Sequence, residues 1–91
     1  MDRLQLILAG TDGYRRERSA CSVILPASDG LLGILPGHAP MLCALRAGEI
    51  VCRSETGESE RFAVSGGVAH VADNRVTVLL YAAGGERETE D

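Results

Sequence analysis

Lysine and tryptophan are absent from this 91-residue sequence, and aromatic side chains are nearly so. Only Tyr14, Phe62 and Tyr81 carry aromatic rings, so the hydrophobic core has to be packed from Val, Ile, Leu and Ala. Most of these residues suit β-strands, and 11 glycines supply the turns that short strands require. A chain of this length has room for one domain and one core.

The sequence also lacks a concentrated basic surface. Its net charge is −4, of which −3 falls in the last six residues and −1 in the first 85. A nucleic-acid-binding protein needs clustered basic side chains to release counterions from phosphates. The one basic cluster, Arg15, Arg16 and Arg18, is interrupted by Glu17. We therefore expect no nucleic-acid partner.

No long hydrophobic run and no paired cysteine motif are present. The apolar stretch 4–9 is too short for the core of a signal peptide, and no run approaches the roughly 20 residues that cross a bilayer. Cys21, Cys43 and Cys52 are widely spaced, and none belongs to a C-x-x-C pair. These features predict a cytoplasmic protein whose reduced thiols serve as small buried hydrophobes.

The residue types that carry chemistry do not form a recognisable set. His38 and His70 are the only imidazoles, and they lack the spacing of a metal site. Ser65 lacks the first glycine of a G-x-S-x-G nucleophile motif, and the glycine-rich segment 30–37 is not followed by Lys-Ser/Thr. We expect no catalytic residue, no metal and no cofactor.

Short apolar or alternating segments recur between turn signals, which is the pattern of an all-β sandwich. The segment 75–82 is apolar on both faces, so it should lie inside a sheet and not at its edge. We assign residues 1–83 to one β-sandwich domain and residues 84–91 to an acidic, mobile tail. The predicted strands are 4–8, 14–16, 19–26, 31–35, 41–45, 49–54, 60–65, 68–72 and 75–82.

The segment 33–40, Gly-Ile-Leu-Pro-Gly-His-Ala-Pro, is the most unusual in the chain. One interpretation is a rigid turn in which two prolines bracket a glycine. Another is that His38 is a polar contact on a stiff, apolar docking loop. The two are compatible, because rigidity lowers the entropic cost of binding.

Four blocks of the sequence resemble, in order and spacing, the epsilon subunit of F-type ATP synthases. This resemblance implies a ten-stranded, two-sheet β-sandwich without the C-terminal helical hairpin that relatives often carry. It further implies a non-catalytic rotor subunit of the central stalk, which binds the gamma subunit and the c-ring and couples proton or sodium translocation to ATP synthesis or hydrolysis. The blocks are 32–42 (LGILPGHAPML), 45–48 (LRAG), 64–68 (VSGGV) and 74–79 (NRVTVL).

The resemblance also suggests which residues contact each partner. Matched position by position, His38, Ala39, Pro40 and Ser65 fall where the family meets gamma. The loop of Ser28, Asp29, Gly30, Leu31 and Leu32 falls where the family contacts the c-ring. Relatives commonly have an acidic or polar residue where this chain has Leu31, so an apolar contact replaces an electrostatic one there unless Asp29 supplies the charge.

Without the helical hairpin, we expect neither self-inhibition by helix insertion nor ATP binding. The expected location is the cytoplasmic face of a bacterial plasma membrane, where the protein is peripheral through its complex. Two alternatives remain open, because a fold does not fix a function. The first is a stand-alone β-sandwich binding module with a different protein partner. The second is a small enzyme built around His38 or His70.

Overall fold

In the computed structural model, residues 3–11 and 13–81 and the backbone of 86–89 are described. These residues form an all-β fold with no helix, so none of the described segments is a helix of the length and hydropathy needed to cross a membrane. The strands are β1 (Leu4–Ala9), β2 (Arg15–Ala20), β3 (Ser22–Ala27), β4 (Gly30–Ile34), β5 (Met41–Leu45), β6 (Gly48–Arg53), β7 (Ser59–Val64), β8 (Gly67–Ala72), β9 (Arg75–Leu80) and β10 (Glu86–Thr89).

The ten strands form one hydrogen-bonded sheet that curls into two layers. The first layer has the order β10-β7-β6-β3, with β4 paired to β3 off this path, and the second has the order β5-β8-β9-β1-β2. The strand ladder passes from one layer to the other at one residue pair of the described structure, Ala27 of β3 opposite Leu45 of β5. Neighbouring strands run antiparallel except β1 and β9, which are parallel. The sandwich predicted from the sequence is confirmed.

The core lies between the layers and follows the alternation of each strand. Phe62 is the largest fully buried side chain, and no polar or charged residue of the described chain is buried with it. On β9 the side chains of Val76, Val78 and Leu80 point inward, whereas Leu79 on the opposite face is exposed. β9 lies between β8 and β1, so its predicted interior position in the sheet is confirmed.

Two predicted boundaries differ from the structure. The predicted strand 19–26 is divided at Cys21, so that β2 and β3 are separate strands of different layers. Residues 86–89, which were assigned to a strand-free acidic tail, form β10 and pair with β7. The polar sequence of 86–89 gave no sign of this edge strand. Backbone hydrogen bonds hold it to β7, so no hydrophobic pattern is needed. The tail's mobility and the boundary at residue 83 stay predictions, and residues 82–85 lie outside the described chain.

Arg18 on the edge strand β2 contacts β7 of the opposite layer. Its guanidinium donates to both carboxylate oxygens of Glu60 on β7, at 2.7 and 3.0 Å, and lies 5.6 Å from the ring centroid of Phe62. Inward-pointing charge on an edge strand discourages pairing with another chain. The contact therefore links the two layers and protects the edge of β2.

Candidate functional site

The loop of residues 35–40 crosses from β4 in the first layer to β5 in the second. The His38 amide donates to the Leu35 carbonyl at 3.0 Å, which closes a four-residue turn with Pro36 and Gly37 at its centre. Gly37 has φ of 89°, and a proline followed by a residue with positive φ is the pattern of a type II turn. The rigid turn predicted from Pro36 and Gly37 is present, and it carries the predicted docking residue His38.

The His38 ring is held by its own loop. Nδ1 lies 2.7 Å from the Ala39 carbonyl oxygen, which can only accept a hydrogen bond, so Nδ1 carries the proton and donates. In the neutral ring this leaves Nε2 as an acceptor. His38 is half-buried, whereas Ala39 and Pro40 are exposed. The three residues lie at the end of the sandwich where β4 leads into β5.

Ser65 lies at the corner between β7 and β8, away from His38. The corner requires glycine twice. Gly66 has φ of 140°, and a Cβ on Gly67 would collide with the carbonyl of Leu79. Because Leu45 pairs with Gly67 and Met41 with Val71, Ser65 and the His38 loop lie at opposite ends of the β5–β8 pair. Four residues of extended strand separate these ends by roughly 13 Å.

An exposed apolar surface lies between those two ends. On β5 the outward-facing Leu42 is 68% exposed, and on β9 the outward-facing Leu79 is 56% exposed. The strand register places Leu42 beside His70 and Thr77, and Ala44 beside Val68 and Leu79. We call this surface the β5–β8–β9 outer face: Leu42, Ala44, Val68, His70, Thr77, Leu79 and Tyr81.

The sequence of β9 has a pattern that fits two different surroundings for the strand. Apolar residues on both sides of β9 predicted an interior strand, which is correct for its position in the sheet. However, Leu79 is exposed among the described residues. An interior strand whose outer side chains are apolar and exposed is also the pattern of a strand that a partner covers.

The predicted c-ring loop forms the tight turn between β3 and β4. Ser28 is fixed there because its amide and its hydroxyl both donate to the Ala44 carbonyl, at 3.0 and 3.2 Å. Leu31 is 73% exposed, whereas Leu32 is half-buried against the core. Since β4 runs from this turn to the His38 loop, the two predicted sites lie at opposite ends of β4, which are about 13 Å apart.

The three cysteines are free thiols, and of the three predicted to be buried only Cys52 is, whereas Cys21 and Cys43 are half-buried. Burial raises the pKa of the Cys52 thiol to about 11, with smaller contributions from Glu60 and Cys21, while Arg18 acts in the opposite direction. Burial also raises the pKa of Cys43, with Asp29 adding to the effect. A thiol with a raised pKa is a poor nucleophile.

The described residues contain no group of three or more metal-ligating side chains. Surface hollows among them are shallow, and the one lined by Ile24, Leu31 and Val51 has a volume of about 400 Å³. His38 and His70 lie on separate elements, the loop after β4 and the strand β8. The features that remain as a candidate site are the β5–β8–β9 outer face, the His38 loop and the corner at Ser65.

Comparison with known families decides the assignment of the fold. The family model for the β-sandwich domain of the ATP synthase delta/epsilon chain matches residues 3–85. The chain belongs to this family. The resemblance drawn from the four sequence blocks is confirmed, and the family's β-sandwich agrees with the two layers described above.

Curated members of the delta/epsilon family extend the match. The ATP synthase epsilon chain of Rhodospirillum centenum is 39% identical over 80 residues, which cover 86% of this chain and 55% of the relative. That of Alkalilimnicola ehrlichii is 35% identical over 91 residues, which cover 100% of this chain and 65% of the relative. The chain thus spans somewhat more than half the length of these bacterial relatives.

A solved member of the same fold comes from the mitochondrial ATP synthase of Euglena gracilis, in an assembly that includes the c-ring. It superposes with a TM-score of 0.82 at 21% identity, over 97% of this chain and 54% of the other. At this identity the likeness concerns the delta/epsilon fold alone.

Proposed function

We propose that this domain is the epsilon-type rotor subunit of the ATP synthase central stalk. It binds the gamma subunit through the β5–β8–β9 outer face and binds the c-ring through the turn after β3. It transmits rotation between ion translocation and ATP synthesis or hydrolysis, and catalysis belongs to other subunits. As a peripheral component it lies on the cytoplasmic face of a bacterial membrane.

The exposed apolar character of the β5–β8–β9 outer face carries this proposal. The inner face of the same layer already fills the core, with Ala69, Val71 and Val78 fully buried, so Leu42 and Leu79 are not needed for folding. Contiguous apolar surface on a small domain marks a protein interface. An extended and rigid sheet face suits a permanent partner, because little side-chain or loop entropy is lost on binding.

The residues assigned to gamma by family resemblance flank this face. His38, Ala39 and Pro40 lie at one end of it and Ser65 lies at the other. With Nδ1 engaged by the Ala39 carbonyl, Nε2 of His38 is available to accept a hydrogen bond from a donor of gamma. The proposed interface therefore has an apolar centre and polar ends, which is the usual arrangement in protein complexes.

The proposed c-ring site has a different character. Leu31 is the most exposed of the large apolar side chains described, and it stands beside the exposed Asp29 on a turn whose backbone is fixed by Ser28. A turn anchored at its base presents its tip without reordering on contact. The contact with the ring is apolar at Leu31 and has one negative charge at Asp29.

Two leucine substitutions separate the proposed sites. We expect Leu79→Glu to weaken the complex with the gamma subunit of the same organism by roughly 2 kcal/mol or more, about thirtyfold in Kd, because a charge would be buried in the centre of the interface. Leu31→Glu makes the same change on the other proposed surface and serves as the control. Co-expression followed by size-exclusion chromatography and titration calorimetry measures both.

Equal affinity of the unaltered chain and Leu79→Glu for gamma would contradict the proposed face. Separate elution of the folded unaltered chain and gamma would favour the stand-alone binding module. In an assembled synthase, Leu31→Glu should reduce the coupling of ATP hydrolysis to ion transport while leaving gamma bound. Unchanged coupling would remove Leu31 from the c-ring site.

A further inference from the structure

The turn between β8 and β9 reaches across to the His38 loop. Asp73 and Asn74 form this turn with φ of 52° and 60°, the left-handed conformations of a two-residue type I′ hairpin. Asparagine tolerates this conformation better than most residues. Its half-buried side chain turns toward the loop after β4, where Oδ1 accepts a hydrogen bond from the Gly37 amide at 2.7 Å.

This hydrogen bond acts on the one peptide unit that defines the type II turn. Types I and II differ by a flip of the central peptide, here the one between Pro36 and Gly37. An acceptor opposite the Gly37 N–H favours the type II orientation. In the flipped orientation the Pro36 carbonyl would face the same acceptor oxygen, which is repulsive. Asn74 therefore selects between two turns that the sequence Pro-Gly permits.

The hairpin tip is itself held in place. The backbone carbonyl of Asn74 accepts a hydrogen bond from the Gln5 amide at 2.9 Å, which fixes the tip to the start of β1. Since β1 pairs with β9 over most of its length, the tip belongs to the rigid sheet. The His38 loop is thus fastened to the sheet through a side chain 37 positions away in sequence.

We infer that Asn74 is a positioning residue for docking: by fixing the Pro36–Gly37 peptide it pre-sets the orientation in which His38 meets the partner. The inference rests on the proposed function for its partner and on the Gly37 contact for its geometry. A loop that is already ordered loses less entropy on binding. Loss of the contact should thus weaken docking without removing any atom from the proposed interface.

The test compares Asn74→Gly with Asn74→Asp. Glycine accepts the left-handed backbone but has no side-chain acceptor, whereas aspartate keeps the acceptor oxygen. Asp73→Gly is the control, since it changes the neighbouring turn residue and leaves Oδ1 in place. Amide hydrogen exchange of Gly37 by NMR reports the contact in the isolated domain. Titration with the gamma subunit reports docking.

For Asn74→Gly we expect Gly37 to exchange faster and the affinity for gamma to fall, each by about two- to tenfold, the size of one hydrogen bond. Asn74→Asp and Asp73→Gly should remain close to the unaltered chain in both measurements. Unchanged Gly37 exchange in Asn74→Gly overturns the contact. Faster exchange with unchanged gamma affinity overturns the positioning role. If the unaltered chain does not bind gamma while Gly37 exchange responds as expected, the proposed function fails and the contact stands.

Discussion

The outer faces of the two layers are built from the same alternating strands but differ in what they present to solvent. On the first layer, Arg61 of β7 pairs with Glu49 of β6 at 3.3 Å, beside the hollow lined by Ile24, Leu31 and Val51. On the second layer, Leu42 and Leu79 stand exposed beside small or uncharged neighbours. The first face is suited to water, and the second is suited to a protein.

The distribution of charge separates the β5–β8–β9 outer face from the rest of the described surface. Ion pairs between described residues lie on β2, β6 and β7 and between Arg3 and Glu55, and none of those found lies on β5, β8 or β9. An apolar face without charge pairs is unfavourable in a free domain and favourable in a complex, because desolvating it costs little. The comparison teaches that exposed apolar side chains occur on both layers, and that the β5–β8–β9 outer face differs in combining them with low charge.

The largest expected effect comes from breaking the strand pair that builds the apolar face. In Gly67→Ala the new Cβ would collide with the Leu79 carbonyl oxygen and lie 3.2 Å from the adjoining carbonyl carbon. Backbone atoms of a central strand cannot move aside cheaply, so we expect unfolding free energy to fall by about 3 kcal/mol. Urea unfolding followed by circular dichroism measures the loss.

Gly33→Ala is the matched control on the first layer. Gly33 also lies in a strand, its φ is not positive, and no atom lies within 4 Å of the position of an added Cβ. Stability should therefore change by no more than about 0.5 kcal/mol. Equal losses in the two variants would mean that the close approach of β8 and β9 does not limit residue 67.

A smaller effect separates the inner from the outer side of β9. Val78→Thr places a hydroxyl in the core without a hydrogen-bond partner, and we expect it to cost about 2 kcal/mol of unfolding free energy. Leu79→Thr, one residue later on the exposed side, should cost less than about 1 kcal/mol. Denaturant titrations of the two variants make the comparison. A larger loss for Leu79→Thr would show that the outer face contributes to folding and is not reserved for a partner.

Features of the fold and the candidate site could be predicted from the sequence where they depend on neighbouring residues, and not where they depend on distant segments. Alternation along β9 places Val76, Val78 and Leu80 on one face, because facing follows from local geometry, but it did not indicate that this face is the buried one. The turn at Pro36 and Gly37 was likewise visible. The division at Cys21 was not, because it depends on which layer each strand joins.

Contacts between distant segments were beyond the sequence pattern. Nothing local to Asn74 indicates that its side chain accepts from Gly37, and nothing local to Ser65 indicates that it lies far from His38. Leu42 and Leu79 were recognised as apolar but not as exposed. Their exposure depends on the sheet having a covered inner face and an open outer one, which only the assembled layers define.

The smallest effect tests whether the charged edge stabilises the free domain. Arg18 and Glu60 join β2 to β7 across the two layers, with side chains 34% and 37% exposed. A partly exposed pair of this kind contributes about 0.5 to 1 kcal/mol and is screened by salt. We expect a double-mutant cycle of Arg18→Met and Glu60→Gln to give a coupling energy of that size in dilute buffer and a smaller one in 1 M salt. A coupling that persists undiminished in high salt would mean that the contact acts by covering Phe62 and not by charge, since packing of the guanidinium on the ring is less sensitive to screening.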